Sequence, residues 1–264
     1  MSEVAYERVQ MNLERLRLTR IGDHLDGIAE EAARHEWTYL QFLDQLLEAE
    51  VAARYERDVA MKTKLAHFPF VKVLEQFDFA FQPSINERQV RELATLRFIA
   101  QAENVLLLGP PGVGKTHLAI ALGVAAVAQA TSVYFTSIAD LLEVIHRDAK
   151  EDRLAHRLHT LCKPKLLILD EMGYFPLDRL AAQFLFQLVS RRYLKGSIIL
   201  TSNKSYGEWG DIFTDQVLAA AILDRLLHHS VTLNIRGQSY RLREKRKAGV
   251  FTDFAEPEKE DQPV

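Results

Sequence analysis

The stretch "NVLLLGPPGVGKTHLAIALG", residues 104–123, restricts the fold more than any other part of the chain. An apolar run long enough for one buried strand leads into a turn of the form G-x-x-x-x-G-K-[ST], and an alanine-rich helical run leads out of it. Gly109, Gly112 and Gly114 let the backbone turn its N–H groups inward. The helix that follows adds its unpaired N–H groups and the positive end of its dipole. Such a turn cradles phosphate oxygens only between a strand and a helix, which commits the chain to strand–helix units of a parallel sheet. The later runs "VYFTS", "KLLILD" and "SIILTSN" are each preceded by helical pattern. Short continuous apolar strands alternating with helices predict an α/β fold, a parallel sheet covered on both faces.

The turn predicts a nucleotide site. Gly109, Pro110, Pro111, Gly112, Val113, Gly114, Lys115, Thr116 and His117 are the expected nucleotide-binding residues on this side, with Lys115 reaching the β- and γ-phosphates. "KLLILDEM" supplies the other side. Asp170 is expected to bind the nucleotide through Mg²⁺, with Thr116 as the second metal ligand, and Glu171 to orient and polarise the attacking water. Asn203, at the polar end of "SIILTSN", is expected between the γ-phosphate and that water. "NKSY" at residues 203–206 lacks the aspartate of the guanine-reading N-K-x-D pattern, which favours ATP.

The flanks differ in texture. Residues 1–66 carry almost no strand signal and read as about three amphipathic helices, a small all-α N-terminal domain. Residues 67–84 are aromatic and punctuated by proline, an extended linker pinned by Phe68, Phe70, Phe77 and Phe79. A helix is expected over about 85–100, within a core of 85–250. The charged tail 251–264 is expected to be disordered. Trp37 and Tyr39 read as core residues rather than base-stacking platforms. Net charge is −3, so any nucleic-acid surface must be local. One cysteine excludes an internal disulfide framework. No signal-peptide core or apolar span occurs, and a cytoplasmic protein is expected.

The order of motifs resembles an AAA+ ATPase. The wording "LLLGPPGVGKTHLAIALG", "LLILDEMGYFPLD", "SRRYLKGSIILTSN" and "AILDRLLHHSVTLNIRGQSYR" resembles the IstB-type helper ATPase of insertion sequences, a relative of the DnaC helicase loader. That resemblance covers nearly the whole chain. It implies ATP and Mg²⁺ as cofactors, a homo-oligomer in a ring or spiral, and duplex DNA and a transposase as partners. Target DNA would be remodelled and the transposase activated. It also places Arg225 as an arginine finger that reaches the nucleotide of the neighbouring subunit. Arg191 and Arg192 form a second candidate pair for the inter-subunit or nucleotide face, an exposed helix end being the alternative. Little chain follows Arg225, so the usual lid is reduced, with Arg241 or Arg243 as its candidate arginine.

For DNA, the long segment 138–164 reads as two helices. Arg147, Lys150, Arg153 and Arg157 form a candidate basic stripe for phosphates, with Lys150, Arg153 and Arg157 spaced to share one face. A solvated face balanced by Asp148, Glu151 and Asp152 is the alternative. Arg236, Arg241, Arg243, Lys245, Arg246 and Lys247 make a second cluster. No reader motif for base edges is present, so backbone contacts are expected. Two rival readings remain open, a DnaC-like helicase loader and a non-hydrolysing, ATP-stabilised scaffold. A small-molecule kinase lacks any acceptor motif.

Overall fold

The computed structural model describes residues 3–213 and 215–247. The expected disordered tail, 251–264, lies outside the described residues. The chain divides into two compact units, Met1–Lys64 and Leu65–Val264.

The first unit is helical: α1 (Glu3–Arg15), α2 (Thr19–Arg34) and α3 (Tyr39–Leu65), whose last residue falls in the second unit. Its core is small. Ile21, Leu25 and Leu46 are buried, with Tyr6, Leu13, Leu18, Ile28 and Phe42 packed around them. Leu18 cannot cap α2, and Glu50 of α3 does so from a distance. Its buried Oε2 accepts from the backbone N–H of Arg20 at 2.9 Å and of Ile21 at 3.4 Å. Arg54 donates to the other carboxylate oxygen, and that bond, the largest cause, holds Glu50 below the usual carboxylate range. Tyr39 differs from expectation: it is 95% exposed, because it begins α3 before the helix reaches its partners. Trp37 is half-buried.

In the second unit, five parallel strands run β1 (Asn104–Leu108), β2 (Val133–Ser137), β3 (Leu166–Met172), β4 (Ser197–Ser202) and β5 (Ser230–Asn234), in the order β2-β3-β4-β1-β5. α4 (Glu87–Leu93) and α5 (Arg97–Ala100) precede β1; between the strands lie α6 (Lys115–Ala128), α7 (Ile138–Lys150), α8 (Leu154–Cys162), α9 (Arg179–Arg192), α10 (Trp209–Ile212) and α11 (Gln216–His228), and α12 (Tyr240–Lys247) follows β5. The central strands β1 and β4 are buried at every position, as continuous apolar runs covered on both faces should be. Leu167 and Leu169 of β3 and Ile198 and Leu200 of β4 pack into the core built from α7, α8, α9 and α11. Ile168 points to the other face, against α6. A Cβ on Gly123 of that helix would stand 2.8 Å from the Ile168 Cδ1, so α6 lies close on the sheet.

One expectation is corrected, and one strand was not foreseen. The helix over 85–100 is two short helices, broken where Leu96 takes a left-handed conformation at φ 64°. Leu93 and Leu96 are both buried around that break. The fifth strand, β5, carried no continuous apolar signal. It lies at the sheet edge, where only one side is paired and its alternation of serine, valine and threonine suffices.

Candidate functional site

The register β3-β4-β1 puts three strand ends side by side. Leu107 of β1 pairs with Thr201 of β4, and Leu169 of β3 pairs with Leu200. The phosphate turn therefore leaves β1 beside the carboxyl ends of β4 and β3, where parallel α/β sheets place their ligands. Gly109 N–H donates to the Ser202 carbonyl at 3.1 Å, fixing the start of the turn to β4. Gly114 caps α6 at φ 99°, and a Cβ there would stand 2.6 Å from the Phe77 ring, so both backbone and space demand glycine. The side chain of Ser239 fills the space a Cβ on Gly112 would need, while Tyr240 N–H donates to the Gly112 carbonyl at 2.9 Å.

Lys115 is buried. Its Nζ donates to the carbonyls of Gly109 at 2.6 Å and Pro110 at 2.8 Å, held by the turn it serves. Burial lowers its pKa to about 8; Arg241 pushes the same way, and Asp170 and Glu171 oppose. Thr116 Oγ1 lies 3.0 Å from each carboxylate oxygen of Asp170. His117 Nε2 meets the Val73 carbonyl at 3.2 Å and its ring packs edge-on against Phe77.

Asp170 and Glu171 are adjacent but not equivalent, because β3 bulges between them. Leu169 pairs with Leu200 and Met172 with Ser202, so two residues of β3 face the single Thr201 of β4. Asp170 is 4% exposed and turned under Thr116, whereas Glu171 is exposed at the lip. Glu171 holds a left-handed φ of 65°, a conformation costing about 1–2 kcal/mol for an L-residue. The Thr201 hydroxyl spans the bulge: it accepts from Glu171 N–H at 2.9 Å and donates to Asp170 Oδ1.

Residues 112–117, Glu171 and Thr201 line a cavity of about 330 Å³, with Asp170 behind Thr116 and outside the lining. The lining also includes Arg241, and Phe70, Lys72, Gln76, Phe77 and Tyr240 from segments outside the sheet. The volume falls within the usual range for ligand pockets. The set fits a nucleoside triphosphate with a hard divalent cation: an N–H-lined turn and ammonium for phosphates, hydroxyl and carboxylate oxygens for the metal, aromatic rings for a base.

Several expected residues sit elsewhere. Asn203 is not among the lining residues; its Oδ1 is buried beside Gly173 with no hydrogen-bond partner. Arg225 is half-buried on α11, donating to the Ala221 carbonyl at 2.8 Å and lying 4.9 Å over the Phe186 ring, outside the cavity. Arg192 is neither exposed nor at the cavity. It is 2% exposed and donates to the carbonyls of Leu161, Pro164, Lys165 and Ser197, tying the ends of α8 and α9 to the starts of β3 and β4. Burial lowers its pKa to about 10, so it stays charged. Arg191 is exposed beside α8 and lines a separate cavity of about 160 Å³ with Leu154, Leu158 and Phe184.

The basic stripe is also rearranged. α7 ends at Lys150, so the three-to-four spacing to Arg153 and Arg157 does not run along one helix. Arg157 Nε pairs with the buried Asp148 at 2.7 Å and is the main reason that carboxylate stays below its usual range. Arg153 pairs with Glu151, and Arg147 approaches Asp148 at 3.7 Å. In the second cluster, Arg243 pairs with Asp78 at 2.7 Å and stacks over Phe81, while Arg241 faces the cavity.

Sequence reading missed Thr201, Tyr240 and part of the cavity wall. Nothing local marks Thr201, one β-branched residue in a strand run, and Phe77 and Tyr240 reach the turn from distant segments.

Comparison with known proteins adds a family. The IstB-like ATP binding protein family matches residues 11–248. A chain assigned as the ATP-binding protein of insertion sequence IS21 in Pseudomonas aeruginosa is 50% identical over 256 residues, covering 97% of each chain. One assigned to insertion sequence IS5376 in Geobacillus stearothermophilus is 49% identical over 240 residues, covering 91% of this chain and 96% of that one. Among solved structures, AMPPCP-bound DnaA from Aquifex aeolicus superposes with a TM-score of 0.52 at 21% identity, over 68% of this chain and 56% of that one, a likeness of fold.

Proposed function

The chain belongs to the IstB-like ATP binding protein family, and from that premise we propose that it hydrolyses ATP at junctions between copies of itself assembled on duplex DNA, in the service of a transposase. One observation carries the reading: the phosphate turn and Glu171 line one cavity, Asp170 is buried directly behind it against Thr116, and Arg225 lies outside it.

The turn N–H groups and Lys115 hold the β- and γ-phosphates. Thr116 Oγ1 and Asp170 would hold Mg²⁺, which when bound offsets charge on those phosphates. Glu171, exposed at the lip, takes a proton from the attacking water as its oxygen bonds the γ-phosphorus. The bond to the bridging oxygen breaks and its electrons stay on the ADP. Arg241 adds positive charge at the same end, a reduced version of a lid arginine, since Arg243 is engaged with Asp78. Asn203 would reach the γ-phosphate only by turning its amide from Gly173. Arg225 of a neighbouring copy offsets charge as the bond to the leaving oxygen stretches. ATP at the junction then favours assembly, and hydrolysis loosens it.

For DNA, Arg147, Lys150 and Arg153 are the proposed phosphate contacts, and Arg157 shapes the turn that presents them by holding Asp148. Phosphate release per chain, measured over rising protein concentration with and without duplex DNA, tests the reading. It should rise with both; a specific rate independent of concentration and of DNA would contradict assembly-dependent hydrolysis.

A further inference from the structure

We infer that Thr201 is a positioning residue for both carboxylates of the nucleotide site, acting through its hydroxyl across the β3 bulge. The inference rests on the ATP-hydrolysis reading and deepens it.

The argument begins with hydrogen-bond supply. A bulge leaves a backbone group of the longer strand without its ladder partner. Here that group is Glu171 N–H, and Thr201 Oγ1 accepts it at 2.9 Å. The same oxygen gives its one proton to Asp170 Oδ1. A hydroxyl has one donor and two acceptor sites, so this group answers both neighbours at once. Thr201 is 1% exposed, and water does not readily replace it there.

Asp170 has a second hydroxyl partner, Thr116, at 3.0 Å from each oxygen. Thr116 is itself a proposed metal ligand. A cation would take a lone pair of that oxygen and leave its proton for Asp170, and Thr201 is the partner of that carboxylate that takes no part in holding the cation. On the other side of the bulge, the left-handed backbone of Glu171 turns its side chain to the lip. Thr201 holds the amide of that residue. One hydroxyl therefore sets the orientation of the buried carboxylate and the direction of the exposed one. Serine keeps this chemistry; valine keeps the shape without it; alanine loses it and leaves space.

Three substitutions separate the possibilities: Thr201→Ser, Thr201→Val and Thr201→Ala, with Glu171→Gln as reference. The first readout is the affinity for a non-hydrolysable ATP analogue with Mg²⁺ and with chelator. Affinity in chelator should stay within about twofold in all three, while the gain from Mg²⁺ shrinks about fivefold or more in the valine and alanine variants and persists in the serine variant. The second is hydrogen exchange at the Glu171 amide, which should accelerate in the valine and alanine variants alone. The third is turnover, expected to fall about thirtyfold without the hydroxyl, with KM nearly unchanged. Should the valine variant fail to fold, alanine carries the same expectation without placing a methyl beside Asp170.

A wild-type Mg²⁺-dependent gain and amide protection in the alanine variant overturn the inference. So does a serine variant as impaired as valine, which would assign the effect to the methyl group. Unchanged turnover in Glu171→Gln overturns the hydrolysis reading instead, and the binding and exchange measurements then judge Thr201 alone.

Discussion

Two cations of this chain sit in opposite circumstances. Lys115 is buried at the carboxyl edge of the sheet, clasped by two carbonyls of its own turn, with Asp170 and Glu171 nearby. Arg225 lies near the end of α11, half-exposed, bonded to one carbonyl of its own helix and laid over Phe186. The first is held at the cavity by its own turn; the second lies outside the cavity, engaged only with its own helix and one ring. Arg192 sharpens the contrast, because it stood beside Arg225 as a sequence candidate. Four carbonyls take its two terminal nitrogens, and its Nε is buried inside the unit. Burial and internal hydrogen bonds, not residue type, distinguish an arginine that builds the fold from one available to a neighbour.

The largest expected effect breaks the comparison from the outward side. Arg225→Ala should lower turnover about 10³-fold or more while affinity for ATP in the dilute protein changes less than threefold, read by steady-state phosphate release and equilibrium binding. If affinity of the isolated chain collapses as well, Arg225 serves its own pocket and the contrast fails.

Arg192→Met tests the opposite role. Removing the guanidinium takes a donor from four carbonyls, those of Leu161 and Ser197 in buried bonds, and denaturant unfolding should show a loss of about 2–4 kcal/mol. Wild-type stability with impaired turnover would move Arg192 to the functional side.

The buried side has a pH signature. Lys115 must be protonated to hold a triphosphate, and its pKa in the free protein is lowered to about 8. ATP affinity should therefore fall above pH 8 by up to about tenfold per pH unit. Stability of the free protein moves the other way. The unfolded lysine keeps its proton to about 10.5, so the unfolded chain binds more protons between pH 8 and 10.5, and this group's contribution to stability rises across that window. ATP affinity unchanged to pH 10 would contradict the assignment.

The smallest expected effect lies in the helical unit. Glu50→Gln weakens the remote cap of α2 and should cost about 1–2 kcal/mol in denaturant unfolding of that unit. Glu50 has a lowered pKa, so its contribution is present above the ordinary carboxylate range and is lost as pH falls through its folded value.

How much of this was legible follows from how local each feature is. The phosphate turn, the apolar strand before it and the helix after it are contiguous, and local spacing determines their geometry. The acidic pair was legible as a pair, but not the bulge that gives Asp170 and Glu171 different directions, since a bulge is a relation between two strands. Part of the cavity's wall comes from Phe77 and Tyr240, which meet the turn only in the folded unit. Arg192 was misplaced because basic residues at a helix end usually face water, and nothing in "SRRYLKG" marks the four carbonyls converging on one of them. The break at Leu96 carries no glycine or proline to announce it.

The most direct test of the central claim mixes two impaired proteins. Glu171→Gln retains the outward arginine and lacks its own proton acceptor, while Arg225→Ala retains the full pocket and lacks the arginine. Equal amounts assembled with ATP on duplex DNA should recover up to about a quarter of wild-type turnover, from junctions that pair an intact pocket with an intact arginine. A mixture no more active than the sum of its two components would contradict the claim that each site is completed by a neighbouring copy.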